Sequence, residues 1–312
     1  MRVVFFGTPR FAVPSLEALL DAGIEVPLVV TQPDRPLGRS GRPRPSPVAE
    51  VAGGRGIPIE RPDRLRGNAP FLERLEEARP DAVAVVAYGK LLPDGILELP
   101  RLGCVNVHAS LLPKYRGASP ISAAILAGDR ETGVVTMKIV PELDAGPVYL
   151  ERRIGIADRD DAASLSQRLA REGAELLVET LRGLEAGRLS ALPQRGEPTF
   201  TRPLTREHGR VDWGKAASEI ERRLRAFAPW PGLHSVLNGE RVKLLEIEVA
   251  RGGPWDAQPG MLRDEGGEAT VAAGDGTALV LKRVQREGRK PTTGTEFLRG
   301  LASRPARFDR GS

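Results

Sequence analysis

At 312 residues the chain exceeds one average domain and suggests about two. Apolar residues at 40% can build real cores and charged residues at 28% are ordinary, which excludes wholesale disorder. One cysteine excludes a disulfide framework or a Cys-rich zinc site, and three histidines leave little for a metal. No apolar run approaches the roughly 18 residues needed to span a bilayer. The opening MRVVFFGTPRFAVPS reads as a buried first strand rather than a signal peptide. A soluble, cytoplasmic, two-domain protein is expected.

The net charge of +5 is unevenly placed. Residues 1–199 carry 26 cationic and 26 anionic side chains, whereas residues 200–312 carry 20 against 15. The last 35 residues hold nine against three. This asymmetry suggests a neutral catalytic half and a basic half facing a polyanion. Of the 46 cations 39 are Arg, which fits genome composition or thermostability as well as function.

The first half alternates apolar strands with helical patterns. A strand at Arg2–Phe6 is followed by a helix near Pro14–Asp21, a strand at Val26–Thr31 and, after a Pro/Arg/Gly stretch, a helix near Val48–Ala52. Ile57–Glu60 is a short strand, and Ala69–Ala78 a helix with Asn68 as N-cap and Pro70 in its first turn. Asp81–Ala87 and Gly103–His108 are further strands, and Ser119-Pro120 opens a helix through about Leu126. Val134–Val140 and Val148–Ile156 look like added strands. Ala162–Leu184 is a long helix with Leu165, Leu169, Leu176, Leu177 and Leu181 at helical spacing. Such alternation predicts an α/β, Rossmann-like, mostly parallel sheet with helices on both faces.

Residues 187–207 are rich in Pro, Arg, Thr and Gly without a period and read as a linker. The expected division is a catalytic domain over 1–187, a linker over 188–207 and a second domain over 208–312. Beyond the linker a helix near Ala216–Arg225 precedes strand candidates at Ser235–Leu237, Val242–Val249, Thr270–Ala272 and Ala278–Val284. Gly-rich turns between them suit a small OB-like β-barrel, a fold often used on oligonucleotides.

The densest candidate for chemistry is GCVNVHASLLPKYRG, residues 103–117. Asn106 and His108 are two apart on a strand, so both project from the same face. Polar groups on an apolar strand are costly to bury without a purpose, and these sit at its C-terminal end, where open α/β sheets place ligands. A pair satisfied by backbone hydrogen bonds explains them equally well in isolation. Asp144, in the loop PELDAGP, could orient His108 or hold it protonated, although an Asp there is also an ordinary turn former. Cys104 shares the strand face and reads as a buried small hydrophobe.

With VVFFGTPRFAVPSLEALL, TQPDRPLGRSGRPRPSPV, AYGKLLP, HASLLPKYRGASPI, GVVTMKIVPELDAGPV, LTREHGRVDW and FAPWPG, the chain resembles the 10-formyltetrahydrofolate-dependent formyltransferases. Within them it is most similar to the branch that formylates methionyl-tRNA, with motif matches from Val3 to about Gly232. The resemblance implies formyl transfer from 10-formyltetrahydrofolate, consumed as co-substrate, to the α-amine of initiator methionyl-tRNA, with no metal. It implies catalytic roles for Asn106, His108 and Asp144, and folate contacts at Ser110, Leu111, Leu112, Pro113, Tyr88 and Gly89. The donors expected for the tetrahedral oxyanion are the Asn106 amide and a His108 imidazolium kept charged by Asp144.

Residues 35–44 carry Arg35, Arg39, Arg42 and Arg44 without an acid, among prolines and glycines that argue against regular structure. A solvated basic loop would look the same. The resemblance implies approach to the tRNA acceptor end, where guanidinium groups pair with phosphates and stack on unpaired bases. Lys243, Lys282, Arg283, Arg286, Arg289 and Lys290 are the candidates for the long-range electrostatic attraction. A monomer without membrane contact is expected. The rival readings are a formyltransferase with a small amine acceptor and a non-catalytic RNA-binding protein on the same core.

Overall fold

The computed structural model describes residues 1–36, 43–301 and 306–311. The chain divides into two compact units, and each is considered by itself. The first comprises Met1–Pro120, Glu131–Gly155 and Leu165–Arg202. The second comprises Ile121–Arg130, Ile156–Ser164 and the chain from Pro203 onward.

Seven strands form the sheet of the first unit: β1 (Val3–Gly7), β2 (Val29–Val30), β3 (Ile59–Glu60), β4 (Ala82–Val86), β5 (Cys104–His108), β6 (Glu131–Lys138) and β7 (Val148–Gly155). Their order is β7-β6-β5-β4-β1-β2-β3. The run from β5 to β3 is parallel, while β6 and β7 are antiparallel additions. β1 and β4 read as unbroken apolar runs because every one of their residues is buried, as a sheet covered on both faces demands. The strand order reverses between β1 and β4, and the carboxyl ends of β1, β4 and β5 share the edge on which such sheets hold ligands.

Local chemistry accounts for the helices. Helix α1 (Val13–Asp21) has Pro14 in its first turn, and α2 (Pro47–Gly54) is capped by Ser46, whose side chain accepts from Ala49 N. In α3 (Ala69–Glu77) Asn68 accepts from Phe71 N, the cap expected from sequence. The one-turn α4 (Asp94–Leu97) and α5 (Pro120–Ala127) follow. The long α6 (Ala162–Glu185) buries all five predicted leucines, each stabilising the unit by about 2 kcal/mol. Gly173 lets α6 approach the sheet: a Cβ there would lie 2.7 Å from Val107 Cγ1.

The strand expected over Val26–Thr31 pairs only at Val29–Val30. At the two ends of the stretch expected to be irregular, Arg35–Pro36 and Pro43–Arg44 pair as a short antiparallel ladder. Arg39 and Arg42 lie outside the described residues. The largest departure is the linker. Leu192 pairs with Val148, and Phe200–Thr201 runs parallel to Arg116–Gly117. The side chains of Gln194, Thr199 and Thr201 and the backbone of Leu192 and Thr199 have partners in the first unit, so this stretch is a strap rather than a tether.

In the second unit α7 (Ala217–Ala226) precedes β8 (Leu233–Leu237), β9 (Glu240–Val249), β10 (Met261–Glu265), β11 (Glu268–Ala272) and β12 (Ala278–Arg286). Helix α8 (Gly294–Arg299) and β13 (Ala306–Arg307) complete it. The antiparallel order is β8-β9-β12-β11-β10-β13. A bridge between Leu237 and Phe308 brings the end of β8 to the residue after β13, so the curled sheet returns on itself as the small barrel expected. Trp213 stacks on Phe308 inside it, with Nε1 donating to Ser235 Oγ at 2.9 Å.

Candidate active site

β5 puts Asn106 and His108 on one face, in register with Val85 and Val135 of the flanking strands. Asn106 is half-buried; His108 is only 7% exposed. Cys104, on the same face, is buried against α4, with its thiol toward the Ile96 carbonyl, and burial pushes its pKa up to about 12. That leaves it the small hydrophobe expected from sequence. The upper part of this face, by contrast, carries polar groups with chemistry available to them.

Asp144 comes to His108 from the loop between β6 and β7. Its Oδ2 lies 3.7 Å from His108 Nδ1 and accepts a hydrogen bond from Gly117 N at 2.8 Å. Gly117 has φ +108°, and a side chain there would strike the Thr201 carbonyl, so this close approach requires glycine. His108 Nε2 lies 3.1 Å from the Tyr115 carbonyl oxygen. A carbonyl can only accept, so Nε2 carries the proton. Burial is the dominant influence on His108 and holds its pKa below the ordinary histidine value, against the opposing pull of Asp144 and the Tyr115 carbonyl. With Nε2 bound to the carbonyl, Nδ1 is the ring nitrogen on the Asp144 side.

The six expected folate positions separate into two groups. The Tyr88 side chain is core, 1% exposed and edge-on to Phe6, while Leu112 packs with Val135 and Met137. Ser110 is buried and donates to Lys114 O at 2.6 Å, and Pro113 is buried as well. The side chains of these four are buried. Gly89 is exposed and Leu111 half-exposed. The Tyr88 carbonyl, at the carboxyl end of β4, accepts from Gln32 Nε2 at 2.7 Å.

The residues that sequence reasoning missed are Arg116, Gln194, Thr199 and Thr201. Gln194 Nε2 donates to the carbonyls of Asp144 and Gly146, and its Oε1 accepts from Arg116. Thr199 and Thr201 hydroxyls accept from Tyr115 N and Ser119 N. The run Thr199-Phe200-Thr201, β-prone in an otherwise Pro- and Gly-rich stretch, was the available signal.

The basic candidates of the second unit also divide. Lys282 pairs with Glu268 and Glu248, and Arg286 with Glu240. Lys243, Arg283, Arg289 and Lys290 are exposed and make no ion pair among the described residues. Arg44 is exposed too. Among the described residues no three His, Cys, Asp or Glu side chains cluster as metal ligands.

A mostly parallel sheet with an Asn–His–Asp set at the carboxyl end of one strand, and a second, antiparallel unit, define a class. The chain belongs to the formyl transferase family: the formyl transferase model matches residues 1–181 and the formyl transferase C-terminal domain model residues 203–302. It is 47% identical to the methionyl-tRNA formyltransferase of Koribacter versatilis, over 96% of each chain. It is 46% identical to the methionyl-tRNA formyltransferase of Thermus thermophilus, over 98% of each. Among solved structures, HypX from Aquifex aeolicus in complex with tetrahydrofolic acid has a TM-score of 0.65 at 19% identity. That match spans 96% of this chain and 48% of HypX, and it shows a shared fold.

Proposed function

We propose that this chain transfers the formyl group of 10-formyltetrahydrofolate to the α-amine of initiator methionyl-tRNA, giving N-formylmethionyl-tRNA for translation initiation. The observation that carries the reading is the convergence of Asn106, His108 and Asp144 at the ligand edge, in a chain 46–47% identical end to end to methionyl-tRNA formyltransferases.

In this reading the Asn106 amide donates to the formyl oxygen as it gains charge during attack by the amine. The neutral His108, through Nδ1, takes the proton that the attacking nitrogen must lose. Asp144 then stabilises the imidazolium so formed. The same proton is returned to the folate nitrogen as its bond to the formyl carbon breaks, so protons balance without a covalent enzyme intermediate. Folate recognition rests on the backbone of Tyr88–Gly89 and on Leu111, with Ser110, Leu112 and Pro113 shaping the wall.

The basic loop, with Arg35, Arg39, Arg42 and Arg44, is assigned to the acceptor end of the tRNA. The second unit supplies counterion release through Lys243, Arg283, Arg289 and Lys290, with Lys282 and Arg286 secondary because their charges are already matched. Cytoplasmic location and a monomeric state belong to the same proposal. Among the described residues no helix is long and apolar enough to cross a membrane, and sedimentation tests the state of assembly. The deciding assay is formyl transfer to methionyl initiator tRNA beside a panel of small amines. Transfer to a small amine alone overturns the acceptor assignment, and transfer to none overturns the activity.

A further inference from the structure

Asp144 is the least secure member of the site by backbone. Its φ is +47°, a region a non-glycine residue keeps only where its surroundings over-determine it. One side chain, fifty positions further along, supplies that constraint. Gln194 Nε2 donates to the carbonyl oxygens of Asp144 and Gly146, each at 2.8 Å. Its Oε1 accepts from Arg116 Nε at 3.1 Å and Nη2 at 2.6 Å. Turned over, the amide would face two carbonyls with its oxygen and a guanidinium with its nitrogen, so only one orientation is satisfied. From Leu192 to Phe200 the strap is exposed except at Gln194, which is half-buried. Arg116 stands next to Gly117, whose N–H holds the Asp144 carboxylate. The brace therefore grips the Asp144 loop by its backbone from the same segment that holds the carboxylate.

We propose that Gln194 is a positioning residue for formyl transfer: it fixes the Asp144 loop so that the carboxylate stays opposed to His108. The inference rests on the proposed roles of Asp144 and His108. The strap does not depend on Gln194 for attachment. Leu192 and Val148 exchange two backbone hydrogen bonds of 2.8 Å at one end, and Thr199 and Thr201 hold Tyr115 and Ser119 at the other. Variants at Gln194 should keep the fold and lose the alignment.

The test is initial-rate kinetics with both substrates varied, on the full chain, for Gln194→Ala, Gln194→Glu, Asp144→Ala and the double variant Gln194→Ala with Asp144→Ala. Gln194→Ala should lose about tenfold to a hundredfold in kcat, the scale of a misplacement near 1 Å, with both KM values within about twofold of wild type. Gln194→Glu keeps the size and the Arg116 partner but has no donor for the two carbonyls, so it should lose as much. The double variant should be no slower than Asp144→Ala, because a residue acting through Asp144 has nothing left to position. Wild-type kcat in Gln194→Glu, a raised KM at unchanged kcat, or losses that multiply in the double variant would each overturn the proposal. If Asp144→Ala itself turns over normally, the catalytic reading of Asp144 falls instead.

Discussion

The polar groups around β5 and the cations of the barrel work under opposite physical conditions. At β5 the important groups are few, buried or half-buried, and His108, Asp144 and its loop are held by hydrogen bonds that involve backbone: Gly117 N to Asp144, His108 to Tyr115 O, Gln194 to the Asp144 loop. On the barrel Lys243, Arg283, Arg289 and Lys290 are exposed, free of ion pairs among the described residues and screened by salt. A buried network fails when one member is lost, whereas an exposed array degrades in steps. Chemistry is thus concentrated in a few residues, and attraction for a polyanion is spread over many.

The sharpest break of this comparison is truncation within the network. Asn106→Ala, His108→Ala and Asp144→Ala should each lose at least about a hundredfold in turnover while binding tRNA normally. Initial rates and a binding titration on the folded variants measure both. Near-wild-type turnover in any one removes that residue from the catalytic set.

Acid should reveal the same buried pair. His108 must be neutral to accept a proton, and burial holds its midpoint below the ordinary value, so the acid limb of the activity profile should lie below the pH range in which a free histidine titrates. Stability follows the same sign: with the folded value depressed, the contribution is present above the unfolded pKa and is lost as pH falls toward the folded one. Asp144 pulls the midpoint upward, so Asp144→Asn should move it further down. The histidine ring resonances followed by NMR would show this, and an upward move in Asp144→Asn contradicts the assignment.

Between the two regimes lies Arg42 of the basic loop, outside the described residues. Arg42→Ala should lose about tenfold in turnover per bound tRNA, and Arg42→Lys should recover part of that, because an ammonium cannot reproduce a planar two-donor fork. Equal loss with a small amine acceptor would assign the loop to the folate or the fold.

The smallest effects belong to the barrel. Removing Lys243, Arg283, Arg289 or Lys290 singly should weaken tRNA binding a few-fold and reduce the slope of log K against log salt by about 0.7–0.9 for each phosphate no longer neutralised. Lys282→Ala and Arg286→Ala should change the slope less, since their removal frees Glu268 and Glu240. Equal slopes for the paired and unpaired cations would erase the distinction drawn between them.

The sequence made the parallel sheet readable because strands covered on both faces must be apolar throughout, as Val3–Phe6 and Ala82–Val86 are. Asn106 and His108 stood out for the converse reason, as polar side chains on such a strand. The Gln194 brace was not readable, since its partners are backbone carbonyls fifty positions away that any residue could present. Strand β10 escaped notice because Leu262 is its one buried residue and Arg263, Asp264 and Glu265 all face solvent. The folate positions were legible as a segment but not as contacts: a sequence shows that Tyr88 and Ser110 are present, not that both side chains point inward. The charge on Lys282 and Arg286 was legible, while its neutralisation by glutamates on neighbouring strands required the register.

The return of the barrel on itself at Leu237 and Phe308 also orders events during synthesis. β8 and β10 each wait for the stretch that ends at Phe308: β10 pairs with Ala306–Arg307, and β8 meets Phe308. Until that stretch leaves the ribosome, both strands offer an unpaired backbone edge, a ready template for joining another chain. The first unit, whose last assigned residue is Arg202, has all its strands in hand about a hundred residues earlier. Nascent chains halted between these points would carry a complete sheet and an open barrel, the combination most prone to edge-to-edge aggregation. A premature stop a few codons before Phe308 should therefore act through solubility rather than through the chemistry at His108.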